Sequence, residues 1–365
     1  MLRQAQRQMA VGIWLLIVCA FVYAMILVGG ATRLTDSGLS ITEWNFAKGV
    51  WPPMSAQAWA EEFALYRQTP EYQVQNAGMT LADFQYIYWW EWGHRFLGKV
   101  IGVVFAAPFF VFWATGRLSG RFWPILGLFA LGGAQGALGW WMVAGGLDRL
   151  DVPSYRLAAH LGMAFLILGL GFWLAQDALD GPPQEDARSS AIVGHGRLLA
   201  WGVALFTGLL FLQIVLGALV AGLDAGRRYT DWPTIGGELF PASYFEYSPW
   251  WRNIFEGHAA TQFNHRTLGY ALAAFGLFLA WLAMRSRQSP TRRWALVCIC
   301  LLAAQIILGI ITVTQAAPLA LSLAHQGLGV ALWLTAVGWC RAAWRAGYHN
   351  TVAESHGGEG FARPA

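Results

Sequence analysis

The stretch WWEWGHRFLG, Trp89 to Gly98, sets a carboxylate, an imidazole and a guanidinium (Glu91, His94, Arg95) at the mouth of a long apolar run. An imidazole can ligate a metal or carry a proton, a carboxylate can accept a proton or steady a cation, and a guanidinium can bind carboxylates through both arms of its fork. Far along the chain QFNHRTLG, Gln262 to Gly269, repeats the pattern, with His265 and Arg266 in register and Gln262 where Glu91 stands. A second echo aligns Ala159-His160-Leu161-Gly162 with Ala324-His325-Gln326-Gly327. Four of the eight histidines thus occupy matched positions, while His195, His258, His349 and His356 read as loop or tail residues.

The plain role for one membrane histidine is an interhelical hydrogen bond, worth about 0.6 kcal/mol on average. Four at matched positions ask for more, because ionisable groups in a bilayer are costly and mark functional sites. Two imidazoles per half is what six-coordinate heme iron takes, one from each face; a structural zinc prefers four ligands and a catalytic one three plus water. His94, His160, His265 and His325 are the candidate iron ligands. One turn further along the same helical face stand Gly98, Ala164, Gly269 and Gly329, small enough for a flat macrocycle. Small residues that merely let helices approach are the plainer alternative. Arg95 and Arg266, with Arg33, Arg156 and Arg252, are candidate partners for heme propionates, with snorkelling to the interface as the alternative. Glu91 shares a helical face with His94, so one half carries an ionisable group where the other carries neutral Gln262. A reaction that moves protons would use such a group; pairing with Arg95 or a loop cation is the structural alternative.

These residues need a scaffold, and composition names its class. Of the 365 residues 56% are hydrophobic and 12% charged, with a mean hydropathy of +0.43, whereas soluble domains average about 25% charged. This is a polytopic membrane protein. Eight runs, near Val11–Gly30, Phe96–Thr115, Trp123–Gly145, Leu157–Ala175, Leu198–Gly222, Thr267–Met284, Trp294–Val313 and Leu319–Trp339, reach the roughly 20 residues a bilayer core demands. Backbone groups in hydrocarbon must be satisfied within the segment, so such runs are helices; a barrel would show short alternating strands. Arg3 and Arg7 before the first run resemble the start of a signal peptide, but the run is long enough to be a retained helix. Lys and Arg cluster at the N-terminus, at Arg117/Arg121, at Arg285–Arg293 and at Arg341/Arg345, which places those loops and both termini in the cytoplasm. The loops near Thr32–Tyr88 and Leu223–Phe263 then lie outside, and the four histidines share one depth towards that side. The net charge of +4 reflects cytoplasmic loops and carries no signal for nucleic acid. Cys19, Cys298, Cys300 and Cys340 all fall in apolar runs, so no outer disulfide is expected.

Gln-x-x-Leu-Gly occurs at Gln135–Gly139, Gln213–Gly217 and Gln305–Gly309, with Met25–Gly29 as a looser fourth copy. The unit is a helix pair, one member with this stretch and the next with a histidine, and two pairs make a half. Four spans return the chain to its starting side, so the halves form a parallel repeat. The expected fold is an all-α integral membrane protein of eight transmembrane helices in two tandem four-helix bundles, with cofactor sites inside each. Residues 1–180 form the N-terminal half, 181–196 a cytoplasmic linker containing GPPQEDARSS, 197–347 the C-terminal half, and 348–365 a disordered tail.

Glu-x-x-His-Arg-x-x-Gly at Glu91–Gly98, its His-Arg-x-Leu-Gly echo, the two later histidines and the duplicated eight-span layout resemble the heme A synthase family, membrane enzymes that convert heme O to heme A for terminal oxidases. The likeness runs from about Val11 to Arg345, with WWEWGHR its most specific piece. It implies oxidation of the C8 methyl of heme O to a formyl group through a hydroxymethyl stage. It also implies a resident heme b on His265 and His325, and heme O as substrate between His94 and His160, with Glu91 assisting as proton acceptor or by stabilising a cation. The implied setting is a bacterial cytoplasmic membrane with the heme sites towards the outer side, in contact with lipid, heme O and heme A. Heme O synthase, oxidase assembly factors, a second copy of the chain and an electron acceptor of unspecified identity are further expected partners. Some relatives carry a cysteine pair in the first outer loop, which this chain lacks. The outer loop with Trp44, Trp51, Trp59 and Tyr66 is a candidate cover for the substrate site. The chief rival is a diheme b-type electron-transfer cytochrome, which explains the histidines but gives Glu91 no task. A transporter of parallel repeats would show matched breaks at mid-membrane, and Pro108 and Pro318 do not match.

Overall fold

The computed structural model describes residues 2–43, 50–144, 150–180, 193–285 and 289–357. Eight of its helices are long and apolar enough to cross a membrane. They are α1 (Leu2–Leu34), α4 (Leu81–Ala114), α5 (Phe122–Ala144), α6 (Ser154–Asp180), α7 (Val193–Gly222), α10 (His258–Met284), α11 (Ser289–Thr314) and α12 (Leu319–Gly357). Short helices α2 (Ala56–Tyr66), α3 (Pro70–Val74), α8 (Ala225–Arg228) and α9 (Arg252–Glu256) lie in the two long loops. Among the described residues there is no strand beyond one isolated bridge, Ile235 with Glu238. The chain is an all-α, multi-pass membrane protein.

Several helices overrun the apolar stretches, because a helix once nucleated extends at little cost per residue. α4 starts fifteen residues ahead of Phe96, at a capping box in which Thr80 and Asp83 satisfy each other's backbone N–H, so WWEWGHR lies wholly within helix. α10 likewise begins at His258. The expected linker 181–196 loses its last residues, Val193–Gly196, to α7, while 181–192 lie outside the described residues. His195 is therefore helical, and α12 continues past Tyr348 to Gly357, where composition suggested an unstructured tail.

In the first half α1 packs on α4, α4 on α5, α5 on α6 and α6 on α1, closing a ring. The second half closes the same way through α7, α10, α11 and α12. The rings meet where α1 and α6 face α12 and where α6 faces α7, so these four helices hold the common core. Gly169 of α6 permits a close crossing there: a Cβ at that position would lie 2.9 Å from the Trp333 indole, whose Nε1–H donates to the Phe165 carbonyl at 2.9 Å. Ion pairs fasten both ends of the seam. At one end Arg33 reaches Asp36 and Asp224 at 2.8 and 2.7 Å. At the other, buried Arg341 of α12 grips Asp177 and Asp180 of α6 at 2.7 and 2.6 Å.

Pro108 sits inside α4 and has no N–H for the carbonyl of Val104 one turn back. Trp14 of α1 supplies the missing donor, its Nε1–H lying 2.9 Å from that oxygen. The kink-prone residue is thereby built into the α1–α4 contact. Gly169→Val pushes a branched side chain into the Trp333 ring and should lower stability by about 1–3 kcal/mol; thermal unfolding in detergent, followed by loss of helical circular dichroism, measures it.

Candidate heme-ligand pairs

Each matched histidine rests on the helix preceding it in its half. A Cβ built on Gly29, Gly139, Gly217 or Gly309 would meet Cε1 of His94, His160, His265 or His325 at 2.7, 3.2, 3.0 and 2.9 Å respectively. Only glycine leaves the ring that room. The glutamine one turn before three of these glycines adds a bond: Nε2 of Gln135, Gln213 and Gln305 donates to the carbonyl of His160, His265 and His325 at 3.0, 2.9 and 3.0 Å. The Gln-x-x-Leu-Gly repeat is thus a histidine seat.

The histidines come in twos. The rings of His94 and His160 lie 6.4 Å apart between centres, tilted by 57°. Two imidazoles sharing one metal, each about 2 Å from it, bring their centres to roughly this spacing. His265 and His325 occupy the matched positions of the other half, on the equivalent glycine seats. All four Nδ1 atoms are buried without a hydrogen-bond partner. Among the described residues no three His, Cys, Asp or Glu side chains converge.

Glu91 and Gln262 perform one task with different chemistry. Glu91, 3% exposed, accepts from Arg95 Nη2 at 2.5 Å and, on its other oxygen, from Ser40 Oγ at 2.7 Å and the Ile41 amide at 2.8 Å. Arg95 then donates to the carbonyls of Ile41 and Glu43 at 2.9 and 3.1 Å. In the other half Gln262 accepts from Arg266 and donates to the carbonyls of Ala225 and Tyr229 at 2.6 and 2.9 Å. Arg266 holds the carbonyls of Asp231 and Thr234 at 3.0 and 2.8 Å. Asp231 shapes that turn by accepting the amides of Gly236 and Gly237, whose φ of +66° and +85° suit glycine. These bonds hold its carboxyl well below the ordinary carboxylate range.

The geometry gives several predicted site residues a role besides the expected one. Arg95 and Arg266 grip loop backbone, so the acidic partner foreseen as an alternative for Arg95 is the one observed. Arg33 pairs with Asp36 and Asp224, Arg252 with Glu256, and Arg156 bonds the Trp141 carbonyl beneath its own indole. Small residues one turn after the histidines admit a neighbour's side chain. A Cβ on Gly98 would meet Met25 Cε at 3.4 Å, and on Gly269 and Gly329 the amides of Gln213 and Gln305 at 3.3 Å each. Sequence reasoning found the Gln repeat without its function; its recurrence on the helix that precedes each of these histidines was the usable signal.

The chain matches the COX15-CtaA family, cytochrome oxidase assembly protein, over residues 12–337. The chain belongs to this family. Within the COX15-CtaA family it is similar to heme A synthase of Maricaulis maris, 52% identical over 340 residues that cover 92% of this chain and 96% of the relative. Heme A synthases of Dinoroseobacter shibae (52% identical; 87% and 83% covered) and Paracoccus denitrificans (49%; 89% and 85%) are similar too. The resemblance read from Glu91–Gly98 is borne out, and it spans all eight membrane helices.

In this COX15-CtaA member the first long loop folds as an aromatic cap. Tyr66, Phe84, Ile87 and Tyr88 form its core, with Trp59, Phe63, Tyr72 and Trp92 around them, and Ile41 joins it directly beside the Glu91 clamp. Trp51 is exposed, and Trp44 lies outside the described residues. Glu71 of α3 is buried in the cap with Oε2 unpartnered. Burial, then the charges of Glu91, Asp151 and Asp36, push its carboxyl up to about 8, against a smaller opposing effect from the Tyr66 hydroxyl. The folded cap therefore holds a proton that the unfolded chain releases near the ordinary value of about 4.3. Cap stability is fullest below that value and falls as pH rises towards about 8. Limited proteolysis of the cap should accelerate between about pH 5 and about pH 8, and Glu71→Gln should flatten that rise.

Proposed function

We propose that this chain is a heme A synthase, oxidising the C8 methyl of heme O to a formyl group to give heme A for terminal oxidase assembly. The observation that carries the reading is the unequal pair of sites: two matched histidine pairs, with buried ionisable Glu91 beside one and neutral Gln262 beside the other. A protein that only passed electrons would gain nothing from that difference. The names of the Maricaulis, Dinoroseobacter and Paracoccus relatives support the same reaction.

His94 and His160 are assigned to heme O as substrate, and His265 and His325 to a resident heme b. A bis-imidazole heme supplies one-electron transfer when bound. The chain's own residues do the rest. The seat glycines bring each imidazole to its partner, while Glu91 fixes Ser40 and Ile41 at the edge of the cap and offers a carboxylate three residues from His94 for protons leaving the substrate carbon. The aromatic cap, which adjoins the Glu91 clamp at Ile41, is assigned as the cover of the substrate pair. Gly269 and Gly329 serve the heme sites by seating the glutamines that hold His265 and His325, and Gly98 by admitting Met25 beside His94. Both termini face the cytoplasm and the heme sites the outer side, following the arginine distribution. Heme O synthase is the expected source of substrate, and oxidase assembly factors the expected receivers of product.

Purification from cells that also make heme O, followed by extraction and mass identification of the pigments, tests the reading. Heme b together with heme O, a hydroxylated intermediate or heme A is expected; heme b alone at two per chain would instead mean a diheme electron carrier. His265→Ala and His325→Ala should each lose the resident heme b, seen as loss of the b-type absorption spectrum. Glu91→Ala should retain heme b and form heme A at least about 100-fold more slowly; loss of heme b from this variant would make Glu91 a purely structural residue.

A further inference from the structure

The four histidine seats are alike in shape and unlike in one side chain, a glutamine at three of them whose amide also lies 3.4, 3.5 and 3.3 Å from Nε2 of His160, His265 and His325. At three of them a glutamine amide ties the histidine's own carbonyl to the neighbouring helix: His160 to α5, His265 to α7 and His325 to α11. In α1 the corresponding stretch reads Met25-Ile26-Leu27-Val28-Gly29. Gly29 receives the His94 ring as the other glycines receive theirs, and Met25 Cε stands 3.4 Å from the Cβ position of Gly98, where Gln213 and Gln305 stand at Gly269 and Gly329. Met25 therefore occupies the glutamine's place. A thioether is at best a weak acceptor and donates nothing, so it fills the seat without tying the His94 carbonyl.

We infer that Met25 is a specificity-determining residue: by withholding the amide clamp from His94 alone, it makes the His94–His160 pair a site that binds and releases heme, whereas the His265–His325 pair, clamped on both sides, retains it. This rests on the assignment of the substrate to the N-terminal pair. A substrate heme must leave at every turnover, which requires one imidazole whose helical turn can shift. A resident heme gains from two turns that cannot. An interhelical hydrogen bond in a membrane is modest in strength, so its omission leaves the helix folded and changes how firmly one turn is held.

The test follows heme passing from detergent-solubilised, heme-b-loaded full-length protein to excess heme-free myoglobin. The wild type should show a fast and a slow phase, with His94→Ala removing the fast one and His265→Ala the slow one. Met25→Gln should slow the fast phase about threefold relative to Met25→Leu, which matches its size but has no donor. Gln305→Met should quicken the slow phase by a similar factor. Equal release from Met25→Gln and Met25→Leu, with no effect of Gln305→Met, overturns the role of Met25. Pigment extraction tests the underlying assignment separately: heme O bound in His94→Ala but not in His265→Ala would place the substrate in the other half.

Discussion

Hydrocarbon offers no hydrogen bonds, and the rest of this structure depends on that constraint. Two departures from an unbroken apolar helix show their partners built in. Pro108 leaves the Val104 carbonyl without its helical donor, and Trp14 supplies one from α1. Glu91 enters the membrane helix with two oxygens and finds three donors. The same constraint gives the seat glutamines their use, since an amide buried between helices must spend its N–H on something and the nearest carbonyl is the histidine's own.

From these local solutions comes a division of labour between the halves. Their rings close through the same sequence of helix contacts, and their histidines rest on the same glycines. Two substitutions then separate them: Glu91 against Gln262, and Met25 against the glutamines. The first places an ionisable group beside one pair, and the second frees one of that pair's turns. Both fall in the half whose loop folds into the aromatic cap. On the proposed assignment, chemistry and exchange are thereby gathered at one site, while the other keeps neutral, clamped surroundings.

Arginine shows where residue type leaves several partners open. A guanidinium beside a candidate heme site suits propionates, and Arg95 and Arg266 also hold loop carbonyls, each beside an acceptor one turn back at Glu91 or Gln262. The sequence spacing between Glu91 and Arg95 permits this pair on any helix, but nothing in the spacing says that the chain after α1 would return to be caught by it. Smallness at Gly98, Gly269 and Gly329 was equally visible and equally ambiguous, because room for a macrocycle and room for a neighbour's side chain look alike in one dimension.

The sequence by itself determined the class of protein, its eight spans, the matched histidines and the Glu91/Gln262 exchange, because apolar run length, residue type and internal repetition are properties of the chain read in order. It also held the Gln-x-x-Leu-Gly stretches, but as a pattern without a purpose. Only the tertiary structure decided that these stretches seat the histidines, that His94 and His160 come within 6.4 Å of each other, and that the arginines serve the loops. Those are contacts between segments tens to hundreds of residues apart. Their partners are chosen by how helices cross and where loops return, which a periodicity along one helix does not encode.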